Sequence, residues 1–157
     1  MRPAFIHTLF CLLLPCLLIA QKRNVKPVKE SLIISCILND AKEPAPEKEA
    51  FDMGTEELKL VLQSATDTVV KASMDGVVST IQREPEGTYE LVYYHNDYWF
   101  WLSGLTKVTV SKNAKIKNGQ PIGIIEAGKK IELLLFDFET PADPKKYLNC
   151  PSFQPLK

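Results

Sequence analysis

From Leu58 to Phe138 the chain is a succession of short segments that alternate apolar and polar residues, each closed by a turn signal. ELKLVLQ sets Leu58, Leu60 and Leu62 two apart, the period of a strand with one buried face. TVVKAS, GVVSTIQ, YELVYYH, YWFWL, TKVTVS and IELLLFDF follow, rich in β-branched and aromatic residues that suit a pleated surface. Between them stand Asp75-Gly76, Glu86-Gly87, Asn96-Asp97, Asn118-Gly119 and Ala127-Gly128. Glycine at such points supplies the positive φ that tight turns demand, and Asp75-Gly76 and Gly119 are read that way. No long stretch carries the spacing of an amphipathic helix. The expectation is an all-β fold, a small β-sandwich or barrel-sandwich.

The N-terminus has another character. MRPAFIHTLFCLLLPCLLIAQ places Arg2 before an apolar run from Leu9 to Ile19, with small Ala20 ahead of polar QKRN. The run is shorter than the roughly 20 residues a spanning helix needs, so no stable membrane span is expected once it is removed. The pattern is that of a secretory signal over residues 1–20, so the mature chain is expected to be exported. A retained anchor is the alternative. Residues 21–56 hold a strand candidate, SLIISCIL from Ser31 to Leu38, and a Pro-, Lys- and Glu-rich linker, Asn39 to Ala50. The main domain is expected over 57–148, with a tail from 149 to 157.

Cysteine usage and charge narrow the function. Cys11 and Cys16 fall in the signal, which leaves Cys36 and Cys150 as candidates for one disulfide in an exported chain. Two separate buried thiols are the alternative. The 19 Lys and Arg balance 19 Asp and Glu, and no basic stripe stands out, so nothing favours nucleic acid as a partner.

Three segments, in order, resemble the lysostaphin-type (LytM) zinc endopeptidases. TDTVVKASMDGVV (Thr66 to Val78) is similar to their G-T-x-V-x-A-x-x-D-G-x-V opening. LTKVTVSKNAKIKNGQPIG (Leu105 to Gly123) is similar to L-S-x-x-x-V-x-x-G-x-x-V-x-x-G-Q-x-I-G. LLLFDFETPADPKKYL (Leu133 to Leu148) is similar to H-L-H-F-E-x and P-V-D-P-x-x-Y-L. The resemblance implies a β-sandwich with a duplicated hybrid motif, in a family that usually acts on peptidoglycan cross-bridges, and a bacterial envelope, periplasmic or secreted, as the compartment. It also implies a zinc held by a His and an Asp of one strand and by the second His of H-x-H, with two further histidines assisting the water.

Carried onto this chain, those positions fall on Glu57 and Val61, on Leu133 and Leu135 for the H-x-H pair, and on Gly104 for the other assisting histidine. A catalytic zinc needs three protein ligands and an open position. Val61, Gly104 and two leucines offer no side-chain donor. The only histidines are His7, inside the signal, and His95, at a turn. The expectation is therefore a pseudo-enzyme with no catalytic residues, no metal and no cofactor, in which leucines fill the former pocket. A residual metallopeptidase using Glu57 is one alternative. A biotinyl- or lipoyl-like carrier is another, because Lys129 in IEAGKK sits where such hybrid-motif carriers hold a lysine. A Ser/His/Asp relay through His95 lacks a G-x-S-x-G elbow.

One stretch has no place in that bookkeeping. In YYHNDYWFWLSG, Trp99 and Trp101 share one strand face, with Tyr98, Phe100 and Leu102 on the other. Trp99 and Trp101, with Tyr94 and Tyr98, are the candidate binding residues, since exposed tryptophan and tyrosine make platforms for sugars and proteins. Core packing is the plain alternative for about half of these rings. The expected function is recognition of peptidoglycan, or of a cell-wall hydrolase, by a groove left at the former active site with these tryptophans nearby.

Overall fold

A computed structural model describes residues 31–44, 58–151 and 153. The signal candidate, the second half of the Asn39 to Ala50 linker (45–50) and Glu57 lie outside them. The protein is all-β, with twelve strands among the described residues: β1 (Ile34–Ser35), β2 (Lys59–Gln63), β3 (Val69–Lys71), β4 (Gly76–Arg83), β5 (Tyr89–His95), β6 (Tyr98–Leu105), β7 (Lys107–Val108), β8 (Lys115–Ile116), β9 (Pro121–Ile124), β10 (Lys130–Asp137), β11 (Thr140–Ala142) and β12 (Leu148–Asn149). A 3-10 turn, Pro144–Lys146, follows the β10–β11 hairpin. No helix among the described residues is long and apolar enough to cross a membrane.

The large sheet runs β11-β10-β6-β5-β4-β8, and β2 shares the outer edge of β10 with β11. A second sheet orders β3-β9-β7, and β1 and β12 pair in parallel. Alternation decides what each long strand buries. On β10 the residues Ile131, Leu133 and Leu135 are buried, as are Leu60 and Leu62 on β2 and Phe100 and Leu102 on β6. These inward residues join Val70 and Ile122 of the small sheet in one hydrophobic cluster, the nonpolar layer that any two packed sheets require.

That cluster extends beyond 57–148. Ile34, Ile37, Leu38 and Ala41 are fully buried members of it, and Phe153 packs against it. Ser31 to Leu38 does not form the expected full-length strand: pairing stops at Ser35, opposite Asn149. The segment is held on both sides instead. Ile34 N–H donates to the Tyr147 carbonyl at 2.9 Å, Ser35 N–H to the Ser73 carbonyl at 2.9 Å, and Lys71 N–H to the Ile37 carbonyl at 2.8 Å. Cys36 is disulfide-bonded to Cys150, 114 residues away, with their Cα atoms 4.9 Å apart. The linker's first residues also pair, Lys42 with Gln63 through two 2.9 Å backbone bonds.

Two glycines behave differently from each other. Gly119 has φ +77 with open space around it, a turn glycine as expected. Gly76 has no positive φ and begins β4; a Cβ there would stand 2.7 Å from the Tyr94 carbonyl oxygen. Close strand approach, rather than turn geometry, requires that glycine. Its neighbour Asp75 does the turning work for another segment, accepting from Lys117 Nζ at 2.7 Å and from Asn118 N–H at 2.9 Å. Those bonds, the Lys117 contact foremost, hold its carboxyl below the usual carboxylate range.

Candidate functional site

Leu133 and Leu135, the positions that match the H-x-H pair, lie on the inner face of the large sheet. Leu133 pairs with Leu60 of β2 on one side and with Leu102 of β6 on the other. Leu135 pairs with Phe100, which in turn stacks on Tyr93 at 4.8 Å between ring centroids. Leu133 and Leu135 are 0% and 1% exposed. Deep in this layer the Tyr93 hydroxyl contacts Ser73 Oγ at 2.6 Å and accepts from Ser73 N–H at 3.0 Å. Burial pushes the Tyr93 pKa up to about 12.

Val61 does not belong to this group. It pairs with Glu132, and successive strand residues face opposite sides, so Val61 points away from Leu133 and Leu135. The β2 residues on the leucine face are Leu60 and Leu62. A one-residue difference in the loop between β2 and β3 shifts that count, and a one-residue slip moves every side chain to the other face.

Gly104 is held by its backbone. Its φ is +94, and a Cβ would meet the Lys130 carbonyl oxygen at 2.8 Å, so no histidine fits there without moving β10. Zinc does not fit these residues: leucine, valine and glycine supply no donor atom. Among the described residues no three His, Cys, Asp or Glu side chains stand together to hold a metal. Glu57 lies outside the described residues.

The other face of the same sheet is chemically distinct. The pairing rows there read Phe136–Trp99–Tyr94 and Leu134–Trp101–Val92. Tyr94 and Trp99 rings lie 5.1 Å apart and tilted by 34°; Trp101 and Phe136 lie 6.3 Å apart at 48°. Trp101 is 36% exposed. A groove of about 440 Å³ opens over this face, walled by Trp99, Trp101, Phe136 and Phe138 and edged by Glu90 and Glu139.

Of the four aromatic candidates, Trp99 and Trp101 therefore line a groove, and Tyr94 supports Trp99 from the next strand. Tyr98 faces the core and is buried, which removes it from any binding surface. The groove is not on the face that matches the family's active site, because Leu133 and Leu135 project from the opposite side of β10. Sequence reading missed Phe136 and Phe138. Phe136 was legible from its alternation with Leu134, and Phe138 from its place in a two-residue hairpin turn that normally holds Asn or Gly.

His95 lies at the other end of β5, its Nδ1 2.9 Å from the Asp75 carbonyl oxygen. A bond to a main-chain carbonyl orients the ring but offers no carboxylate relay. Lys129 is exposed in the turn between β9 and β10, next to Gly128 with φ +76.

No family model matches the sequence, and a search of curated protein sequences finds no match. Solved structures do match. Helicobacter pylori Csd3 superposes with a TM-score of 0.59 at 13% identity, covering 76% of this chain and 34% of that one. The chain thus spans about a third of Csd3. The structure of the SpoIIQ–SpoIIIAH pore-forming complex gives 0.56 at 16% identity, covering 76% and 92%. The catalytic domain of the antimicrobial peptidase lysostaphin from Staphylococcus simulans gives 0.52 at 20% identity, covering 65% and 85%. With the sheet order, the leucine-filled inner face and these superpositions together, the chain has the fold of the lysostaphin-type peptidases, in a form whose ligand positions on the described strands carry no metal-binding side chains.

Proposed function

We propose that this chain is an exported, non-catalytic peptidase-like domain that binds peptidoglycan through the outer face of its large sheet. The observation that carries the reading is the groove walled by Trp99 and Trp101. Leucines at Leu133 and Leu135 make the inner face a core, whereas a partly exposed aromatic groove on the outer face marks a binding surface. A groove of aromatic walls with a polar edge suits a saccharide or a short peptide better than a flat protein surface. Export is supported by the Cys36–Cys150 bond, since disulfides persist in oxidising compartments.

A second reading gives the same surface to a cell-wall hydrolase. It is favoured by the neighbour solved in the SpoIIQ–SpoIIIAH complex, a protein of this fold seen with a protein partner.

The test is co-sedimentation of the purified chain with peptidoglycan sacculi, beside a Trp99→Ala, Trp101→Ala double variant. Binding by the unaltered chain, lost in a variant whose circular dichroism is unchanged, is the expected result. Failure of the unaltered chain to sediment would sink the wall-binding reading and leave the protein-partner one.

A further inference from the structure

The groove carries a sign as well as a shape. Its charged lining residues are Glu90 and Glu139, and no Lys or Arg lines it. Neither carboxylate is ion-paired among the described residues. Indole and phenyl faces present electron density to whatever sits on them and attract cations. Walls and edge therefore favour the same charge.

Phe138 adds an independent observation. It occupies the first position of the two-residue turn between β10 and β11, where Asp137 pairs with Thr140. Its φ is +58, a region that bulky side chains avoid and Gly or Asn fill at lower cost. Its N–H donates to the Asp97 carbonyl at 2.7 Å, which anchors this turn to the β5–β6 turn. Yet its side chain is 66% exposed at the mouth of the groove. Neither the backbone nor the core gains from a phenylalanine here, and strain retained beside a concave surface points to a ligand.

We propose that the groove holds an ammonium group on an apolar stem, with the ring faces of Trp99, Trp101 and Phe136 around it, Glu90 and Glu139 as counter-charges, and Phe138 as the lip that closes over the stem. Its source is the free side-chain amine of an uncross-linked peptidoglycan stem peptide. That choice of source rests on the wall-binding reading; the preference for a cation does not.

The experiment compares sacculi carrying their native amines with sacculi whose amines have been acetylated, which removes the charge and keeps the glycan. Acetylation should lower binding roughly tenfold. A Glu90→Gln, Glu139→Gln variant should lose a similar factor on native sacculi and little on acetylated ones. Equal binding of the unaltered chain to both preparations overturns the cation proposal while leaving wall binding intact. Should the chain bind no sacculi, the two ideas separate by tryptophan fluorescence. Quenching by Nα-acetyl-lysine amide, but not by its Nε-acetylated form, upholds the ammonium site, and no quenching by either overturns it. Phe138→Gly completes the test: its melting temperature should hold or rise while its affinity for the amine falls about threefold or more. A variant with unchanged affinity, or one that loses stability in step with affinity, overturns the lip.

Discussion

Leu133 of β10 stands directly across from Leu60 of β2, and both side chains are fully buried. In a lysostaphin-type enzyme this face of β10 would carry the histidine pair. Here the row continues through Leu102 of β6 to Leu91 of β5, so four leucines on four neighbouring strands occupy one band of the sheet. The band makes the inner face a continuous core rather than a pocket, and it sets what substitutions there do.

Leu133→His with Leu135→His should not create a metal site. Val61 faces the other side of the sheet, Gly104 has no room for a side chain, and Leu60 and Leu62 fill the matching places on β2. Each buried polar ring without a partner should cost about 1–3 kcal/mol. The double variant is expected to unfold at lower denaturant than the parent, with no rise in melting temperature on adding zinc. A zinc-dependent rise would mean that a third ligand exists, and Glu57 would be the first candidate.

The Cys36–Cys150 bond closes a loop of more than a hundred residues. In the loop-entropy treatment such a closure stabilises by roughly 4–5 kcal/mol. Cys36→Ala with Cys150→Ala should lose about 2–5 kcal/mol in denaturant unfolding. Addition of reductant should then affect the parent and leave the variant unmoved. A loss well under 1 kcal/mol would show that the hydrogen bonds of Ile34, Ser35 and Ile37 hold the N-terminal segment unaided.

Tyr93 couples the core to alkaline pH. Its folded pKa lies at about 12, above the ordinary value of 10. Between those values the unfolded chain releases the proton and the folded one keeps it, so stability is intact below pH 10 and declines as pH rises toward 12. Tyr93→Phe should remove that part of the alkaline slope. It should also cost about 1–3 kcal/mol at neutral pH, because the buried Ser73 N–H and hydroxyl lose their partner. Unfolding curves of both proteins from pH 8 to 11 check the two effects separately. An unchanged slope would mean that another group sets the alkaline limit.

Much of this was written in the chain. The strands from Lys59 to Asp137 follow from period-two alternation and their turns from Gly, Asn and Asp, because both signals are local: each residue's preference is expressed within a few neighbours. The absence of donors at Leu133, Leu135 and Gly104 is likewise a matter of residue identity. Ser31 to Leu38 misled for the same reason. Its apolar, β-branched composition reads as a strand, but a strand needs partners, and beyond Ser35 its partners are a disulfide, the β3 backbone and the core.

What tertiary structure alone decided is which side of a sheet each side chain occupies relative to residues far away in the chain. Spacing put Val61 beside Leu133 and Leu135; register put it on the opposite face, since one residue in a loop reverses a strand's facing. The family resemblance suggested Trp99 and Trp101 near the matching active-site face, and register set them on the opposite one. Two carboxylates and a strained phenylalanine gather around those tryptophans only through the pairing of β4, β5, β6 and β10. The sequence by itself determined an all-β chain that lacks side-chain donors at two positions matching the family's zinc ligands, Val61 and Leu135, and at the two matching its assisting histidines, Gly104 and Leu133. The folded sheet determined that its remaining binding chemistry lies on the other side, because alternation is local whereas the register that aligns one strand with the next is not.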